Sequence, residues 1–420
     1  MRYLWKIKKK EAVLVVLTSL QGKENTAYWD EFLELVKAAD MEVVMHAKQH
    51  MKTVNSATYI GSGKVKEIKE MLESTAVDVV LIDHVLTPLQ SRNLEKAWNR
   101  PIMDRNALIL ELFETRAVTA EAKLQIEAAK LNALLPKLVG STSYLGRQSG
   151  GRNKGAGEKQ LELDRRVIKR RIGEVRNELK RLEKQRAVRA AKRQRNDLPI
   201  VALIGYTNAG KSTIMNQLLD RFQKKAAKQV LEKDMLFATL DTSVRRIALD
   251  AHRQFLLIDT VGFVSDLPHE LIEAFHSTLE QIKEADLLLQ IVDGANPHYR
   301  EQMQVTSDTL QKLGVENIAM LTVFNKADRL QEKHPRCLRE DRVMLCAKAE
   351  KDIDFLCDLI SKRLYPLHQK WKLKIPYDDA LLAQLRKQGI LSEIHYLDDA
   401  MLVEIDADAE RMRKWEAYLA

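Results

Sequence analysis

The sequence predicts an α/β protein in three parts, and three observations carry the prediction. Short apolar runs alternate with amphipathic stretches over residues 1–118 and again over 198–367. Between them, residues 119–197 hold two stretches with helical apolar spacing on either side of a glycine-rich insert. From 368 to 420 the pattern changes to three strands and two helices. Strand–helix–strand alternation gives parallel sheets with right-handed crossovers. Two helical stripes close in sequence bury each other as an antiparallel hairpin, and the last segment reads as a small α+β domain.

In the first part, Ala12–Leu17, Met41–His46 and Val77–Ile82 read as strands, and Trp29–Ala39, Val65–Ser74 and Pro88–Trp98 as helices. Ala12–Leu17 follows the Lys6–Lys10 cluster and so imitates a secretory leader. It is too short to span a bilayer and no small-residue cleavage site follows, so a buried parallel strand explains it better. In the hairpin, Leu124, Ala128, Leu131 and Leu135 make one stripe, which Pro136 should end or kink. Ile168, Ile172, Val175, Leu179 and Leu182 make the other, weakened at Gly173 by up to ~1 kcal/mol relative to Ala. The insert Val139–Gly157 carries Arg147, Arg152 and Lys154, no acidic residue and few apolar ones, and is expected to be a mobile tip. The second hairpin helix is densely basic and ends at Asp197-Leu198-Pro199.

Beyond it, Ile200–Ile204, Ile247–Ala251, Phe255–Ile258, Leu287–Val292 and Ala319–Phe324 read as strands. In the last part Lys372–Ile375, Leu391–Tyr396 and Met401–Ile405 read as strands, with helices at Ala380–Gln388 and Ala409–Leu419.

Composition narrows the class. Of 420 residues 45% are hydrophobic and 30% charged, ordinary for a soluble globular protein. A net charge of +9 leans only weakly toward polyanionic partners. Cys337, Cys346 and Cys357 are odd in number and lack metal-ligand spacing, which argues against a disulfide framework and for a reducing cytosol, with the thiols buried or half-buried. No segment approaches the ~20 apolar residues of a transmembrane helix. The expectation is a soluble, cytoplasmic protein.

The motifs are more specific. Gly205–Ser212, GYTNAGKS, fits Gly-x4-Gly-Lys-Ser between the strand VALI and the helix STIMNQLL, the setting a phosphate-binding loop requires. Gly205 and Gly210 let the backbone wrap closely round phosphates. N–H groups of Tyr206, Thr207, Asn208 and Ala209 and the helix start, with Thr213, face the negative charge. Lys211 should reach the β- and γ-phosphates and the Ser212 hydroxyl should bind Mg2+. Asp259-Thr260-Val261-Gly262 follows the strand FLLI, where Asp259 points to Mg2+ through water and the Gly262 backbone can meet the γ-phosphate. Asn325-Lys326-Ala327-Asp328 follows the strand AMLTVF. Asp328 can accept hydrogen bonds from guanine N1–H and the N2 amine. Adenine offers neither donor, so a buried Asp would be left unpaired, at a cost on the order of several kcal/mol. Lys326 would lay its stem along the base. Three such motifs after three predicted strands, in working order, define a site for GTP and GDP.

Two further positions are less firmly fixed by spacing. Within LFATLDTS, Thr239 or Thr242 is the candidate second Mg2+ ligand, flanked by Phe237, Ala238, Leu240 and Asp241; Cys346-Ala347-Lys348 after the strand VML can offer N–H groups to the guanine carbonyl. Phe263 follows Gly262, where Ras-type proteins place a Gln that orients the attacking water. Phe cannot do this, so intrinsic hydrolysis should be slow until a partner orders the site. No catalytic residue is assigned beyond Lys211 and Thr239 as organisers. Gly61-Ser62-Gly63-Lys64 imitates part of a second phosphate loop, but Thr58 stands where its first Gly is required, so it reads as a helix-opening turn.

ATYIGSGKV (Ala57–Val65), RNLEKA (Arg92–Ala97), the Leu124–Leu135 helix with LLPKLVG, and GAGEKQLELDRR (Gly155–Arg166) join GYTNAGKST, LFATLD, DTVGFVSDLPHELIEAF and ADLLLQIVD in a familiar set. Over nearly its whole length the chain resembles the HflX family of bacterial GTPases. The resemblance implies an N-terminal α/β subdomain with a long helical hairpin, a P-loop Ras-like G domain and a small C-terminal α+β domain. It also implies GTP hydrolysis with Mg2+, binding to the large ribosomal subunit and its rRNA, and dissociation of stalled or stress-arrested ribosomes, with hydrolysis stimulated by the ribosome. Thr239 becomes the preferred Mg2+ ligand, and a hydrophobic residue at Phe263 matches the family. The tip should enter rRNA near the peptidyl-transferase region, which makes Arg147, Arg152, Lys154, Arg165 and Arg166 the RNA-contact candidates. Two departures are Cys346 in place of a usual Ser and Ala156 in place of a frequent Pro. A monomer is expected. Two competing readings are an RNA-binding assembly module that uses GTP as a conformational ligand, and an ATP-driven RNA-remodelling enzyme, for which no complete second phosphate loop exists.

Overall fold

The computed structural model describes residues 12–20, 26–148, 154–194, 198–222, 243–250, 253–265, 280–315, 317–366, 368–397 and 399–420. The chain divides into two compact units, one of residues 1–191 with 233–241 and 261–279, the other of 192–232, 242–260 and 280–420.

In the first unit β1 (Ala12–Leu20), β2 (Glu42–Met51), β3 (Val79–Ile82) and β4 (Ile102–Asp104) form a parallel sheet in the order β2-β1-β3-β4. Val13–Leu17 of β1 is buried throughout, which is why that strand reads as a continuous apolar run rather than an alternation. Helices Thr26–Ala38, Ser62–Ser74, Pro88–Trp98 and Arg105–Arg116 cover it. Pro88 at the first turn and a Thr87–Gln90 capping box start the third of these. Gly61 is the N-cap of Ser62–Ser74, so that stretch is the expected helix-opening turn.

The hairpin helices are Ala120–Gln148 and Lys154–Gln194. Of the two effects allowed for Pro136, ending the helix is excluded, because the residue lies inside the first helix. One expectation is corrected here. The glycine-rich insert is helical as far as Gln148 and again from Lys154, while 149–153 lie outside the described residues. Each Gly lowers helix stability by only ~1 kcal/mol, and extending an existing helix avoids a new nucleus. The first stripe is also rotated: Ala122, Ile126, Ala128 and Ala129 are buried, whereas Leu124, Leu131 and Leu135 are half-buried. The second stripe is as expected, centred on Ile172 and Val175. Arg171 holds Glu127 across the hairpin through two hydrogen bonds, of 2.6 and 3.0 Å, and Lys130 donates to Glu111 at 2.9 Å and Glu114 at 2.5 Å on helix Arg105–Arg116.

In the second unit β5 (Ile200–Gly205), β6 (Ser243–Ala248), β7 (Gln254–Asp259), β8 (Leu287–Asp293), β9 (Ala319–Asn325), β10 (Arg336–Arg339) and β11 (Arg342–Met344) make one sheet, ordered β10-β11-β9-β8-β5-β7-β6. It is parallel except for the outer pairs β6–β7 and β10–β11. Leu203, Ile214, Leu218, Leu289, Val323 and Ile360 lie in its core. β6 runs earlier than expected because Asp250 belongs to the turn, where it accepts the Arg253 N–H at 2.7 Å.

The last sheet, β12 (His368–Ile375), β13 (Gly389–Tyr396) and β14 (Met401–Asp408), is antiparallel with β14 central, and helix Asp379–Gln388 packs on it. The helix expected over Ala409–Leu419 is one α-turn, Ala409–Met412, followed by a 3-10 segment, Arg413–Tyr418. Met412 and Trp415 are the buried pair, and their three-residue spacing suits the tighter helix. Cys346 and Cys357 are buried as expected, but Cys337, on an exposed edge strand, is exposed.

Candidate nucleotide-binding site

In the second unit β5, β7, β9 and β11 run parallel, and at their carboxyl ends stand GYTNAGKS, Asp259, Asn325-Lys326-Ala327-Asp328 and Cys346-Ala347-Lys348. That edge is where open α/β sheets bind ligands. The loop after β5 is built on left-handed backbone, with φ of 141° at Gly205, 60° at Asn208 and 99° at Gly210. A Cβ on Gly205 would sit 2.2 Å from the Ile291 carbonyl oxygen, and one on Gly210 2.2 Å from Asn325 Nδ2. Both positions therefore require glycine.

Lys211 is buried and donates from Nζ to the carbonyls of Gly205 (3.0 Å) and Tyr206 (2.8 Å), which bends its head back over the loop. Ser212 Oγ donates to Asp259 Oδ2 at 3.1 Å, and Thr260 Oγ1 ties to the Leu203 carbonyl at 2.7 Å. Asn325 joins two loops: Nδ2 donates to the Ala209 carbonyl (3.0 Å) and Oδ1 accepts the Ala347 N–H (2.9 Å). Lys326, at φ 64°, donates to the Asn208 carbonyl and to Asp293 Oδ2, both at 2.8 Å. Asp328 itself is exposed, so the burial that the discrimination argument needs must come from a base laid along Lys326. Cys346 lies beside it. Burial pushes the Cys346 thiol up, the Lys348 backbone N–H opposes this, and the neighbouring Asp328 carboxylate reinforces it.

Two contributors had not been singled out as site residues. Asp352, fully buried in the first turn of helix Glu350–Leu364, accepts the Cys346 N–H at 2.7 Å and lies 2.7 Å from His334 Nδ1. It fixes the loop that carries Ala347 and Lys348. Its signal was an acidic residue just after a loop of interest. Asp293 ends β8 and orients Lys326; an Asp closing an apolar strand was the available sign.

Other expected positions come together less fully. Phe237, Ala238, Thr239, Leu240 and Asp241 lie outside the described residues. Val261, Gly262 and Phe263 are buried and group with the first unit. Arg147 and Lys154 fall within the hairpin helices, Arg152 lies outside the described residues, Arg165 is half-buried and Arg166 exposed.

The residues present fit a magnesium nucleotide. Thr207 Oγ1 is buried without a hydrogen-bond partner among the described residues, the glycines leave a cradle that side chains would fill, and a hydroxyl beside a carboxylate is a hard-oxygen donor set suited to Mg2+. Burial also pushes the Lys211 ammonium down to about 8, against the pull of Asp259. From about pH 8 to the unfolded value of 10.5 the native state thus binds fewer protons than the unfolded chain, and this group's share of stability rises with pH. Phosphate favours the ammonium, so nucleotide affinity should move the opposite way. Titrations with GDP between pH 7.5 and 9 are expected to show affinity falling by up to about tenfold per unit, with the slope lost in Lys211→Met.

A parallel sheet whose phosphate loop and Asn-Lys-x-Asp loop are tied by one asparagine defines a P-loop GTPase domain. Comparison with known proteins agrees. Residues 26–114 match the family model described as GTP-binding GTPase N-terminal, 116–193 its Middle Region, and 200–326 a 50S ribosome-binding GTPase. The GTPase HflX of Lacrimispora saccharolytica is 40% identical over 408 residues, covering 96% of this chain and 94% of the relative. That of Escherichia coli is 38% identical over 379 residues, covering 89% and 87%. A GTP-binding protein from Sulfolobus solfataricus, solved in complex with GDP, aligns over 85% of this chain and 99% of its own at 22% identity and a TM-score of 0.44. The chain belongs to the HflX family of GTPases and is a GTP hydrolase. No helix among the described residues is long and apolar enough to cross a membrane.

Proposed function

We propose that this GTPase binds the large ribosomal subunit and dissociates stalled or stress-arrested ribosomes, with its hydrolysis stimulated by the ribosome. The observation that carries the reading is the two-helix arm, followed in sequence by a segment matching a 50S ribosome-binding GTPase. Its second helix has 41 residues, roughly 60 Å at 1.5 Å per residue, long enough to reach RNA well inside a particle. Arg166 and Arg170 on it are largely exposed, so their pairs with Glu162 and Glu174 are weak and yield readily to phosphates. Arg147, Arg152, Lys154 and Arg165 are the other proposed RNA contacts.

In the nucleotide site Gly205–Thr213 would cradle the phosphates, with Lys211 at the β- and γ-groups. Asn325–Asp328 and Cys346–Lys348 would take the guanine. Ser212 and Thr239 would hold Mg2+ directly and Asp259 through water. When bound, Mg2+ neutralises the β- and γ-oxygens during transfer. The buried Phe263 cannot orient water, so the ribosome is the proposed source of that order. The free thiols fit a monomeric cytoplasmic protein.

Sucrose-gradient sedimentation tests the reading. Intact ribosomes should convert to subunits with the protein and GTP or a non-hydrolysable analogue, but far less with GDP, and deletion of Ser141–Lys154 should abolish the effect. Unchanged ribosomes in every nucleotide state would end it. Large-subunit binding without ribosome-stimulated turnover would favour the assembly-module reading.

A further inference from the structure

Asp352 lies in the first turn of helix Glu350–Leu364 and is fully buried, with no hydrogen-bond partner for Oδ1 among the described residues. A carboxylate in a first turn gains from the helix dipole, but a buried charge needs complete hydrogen bonding. Helix capping does not account for it either. A carboxylate three residues after the N-cap ordinarily accepts the N–H of the N-cap itself. Here the N-cap is Ala349, whose N–H goes to the Cys346 carbonyl at 3.0 Å. The Asp352 side chain reaches past it to the Cys346 N–H.

That reach joins two loops at one atom. Asp352 Oδ2 accepts the Cys346 N–H at 2.7 Å and lies 2.7 Å from His334 Nδ1, which donates because an ionised carboxylate only accepts. His334 stands on the loop that leaves the Asn325–Asp328 turn. Cys346 in turn lies beside Asp328. With its N–H held by Asp352, and that of Ala347 held by Asn325 Oδ1 at 2.9 Å, the loop is fixed at two successive peptides. The Lys348 N–H faces the Cys346 sulfur, a weak acceptor, and is the donor to spare for a guanine carbonyl. All of these residues belong to the second compact unit.

We infer that Asp352 and His334 are positioning residues for the guanine base, holding the Cys346–Lys348 loop and the segment after Asp328 in the register in which both meet it. They act through the Cys346 peptide rather than on the nucleotide. A loop set in advance spares the nucleotide the entropy of ordering it. The inference rests on the reading of these two loops as the base-binding ones, and it leaves the phosphate loop untouched.

The test uses the full chain with His334→Ala, His334→Asn and Asp352→Ala. GDP affinity is measured by titration of the folded protein, and hydrolysis by single turnover at saturating protein. His334→Ala and Asp352→Ala should each weaken GDP by about tenfold, with the saturated rate within about twofold of the parent. His334→Asn keeps an N–H donor near the place of Nδ1 and should bring affinity back to within about threefold. A merely structural pair would lower the unfolding temperature and leave the GDP affinity of the folded protein unchanged. That result overturns the inference, as does a lower rate with affinity intact, or a loss in His334→Asn equal to that in His334→Ala. If Asp352→Ala does not fold, the two His334 variants, on a partly exposed loop residue, decide the matter. Asp328→Asn measured alongside separates the two readings. Unaltered base preference there overturns the assignment of the base loops, and the inference with it. Altered preference there, with parental GDP affinity in the His334 and Asp352 variants, overturns the inference alone.

Discussion

Asp328→Asn is expected to turn the base preference of the site from guanosine to xanthosine nucleotides. The carboxylate offers two acceptors to the N1–H and the N2 amine of guanine. An Asn in the same place keeps one acceptor and presents an amide N–H to that amine, donor against donor. Xanthine has a carbonyl at that carbon and satisfies the amide. Loss of a charge-assisted contact together with an unpaired donor should weaken GDP by about 10²–10³-fold, while xanthosine diphosphate gains. Lys326 and Asp293 hold the loop independently of the Asp328 side chain, so the fold is expected to survive. Calorimetric titration with both diphosphates checks the switch. Retained guanine preference would mean that another group reads the base.

Gly210→Ala is the second large effect, and it arises from packing. Its backbone sits at φ 99°, which costs an L-residue roughly 1–2 kcal/mol. The added Cβ would lie 2.2 Å from Asn325 Nδ2. Asn325 cannot step aside cheaply, because its amide is committed to Ala209 on one side and Ala347 on the other. Displacing it leaves buried groups unpaired, at about 1–3 kcal/mol each. A stability loss of about 3 kcal/mol in urea unfolding is expected, with GDP affinity down at least a hundredfold because the phosphate and base loops come apart. A Gly210→Ala chain that bound GDP as the parent does would show that Asn325 does not hold the loops in register.

The motifs of the candidate nucleotide site were legible because each is local. A phosphate loop, a strand-ending Asp and an Asn-Lys-x-Asp turn each need residues adjacent in sequence, so spacing alone finds them. Asp352 was not legible, since its contact with the Cys346 N–H crosses from a helix back to a loop and the residue reads like any acidic first turn. The same holds for Arg105 and Glu31, whose meeting at Ser265 joins segments far apart in the chain. In the fold, β4 was missed because Ile102–Asp104 is too short to show a period before Asp104 becomes the N-cap of the next helix, accepting the Ala107 N–H at 2.8 Å. β10 was missed because Arg336–Arg339 is exposed and offers no apolar signal.

Helix Arg105–Arg116 has a position that its length makes consequential. It is only 12 residues long, about 18 Å as a rigid rod. Its first residue holds Ser265, and Glu111 and Glu114 further along it hold Lys130 at the base of the arm. A stiff rod gripped near both ends passes a tilt from one to the other, without any loop between them having to refold. A push on the arm would arrive at the backbone beyond Gly262 as a change of angle.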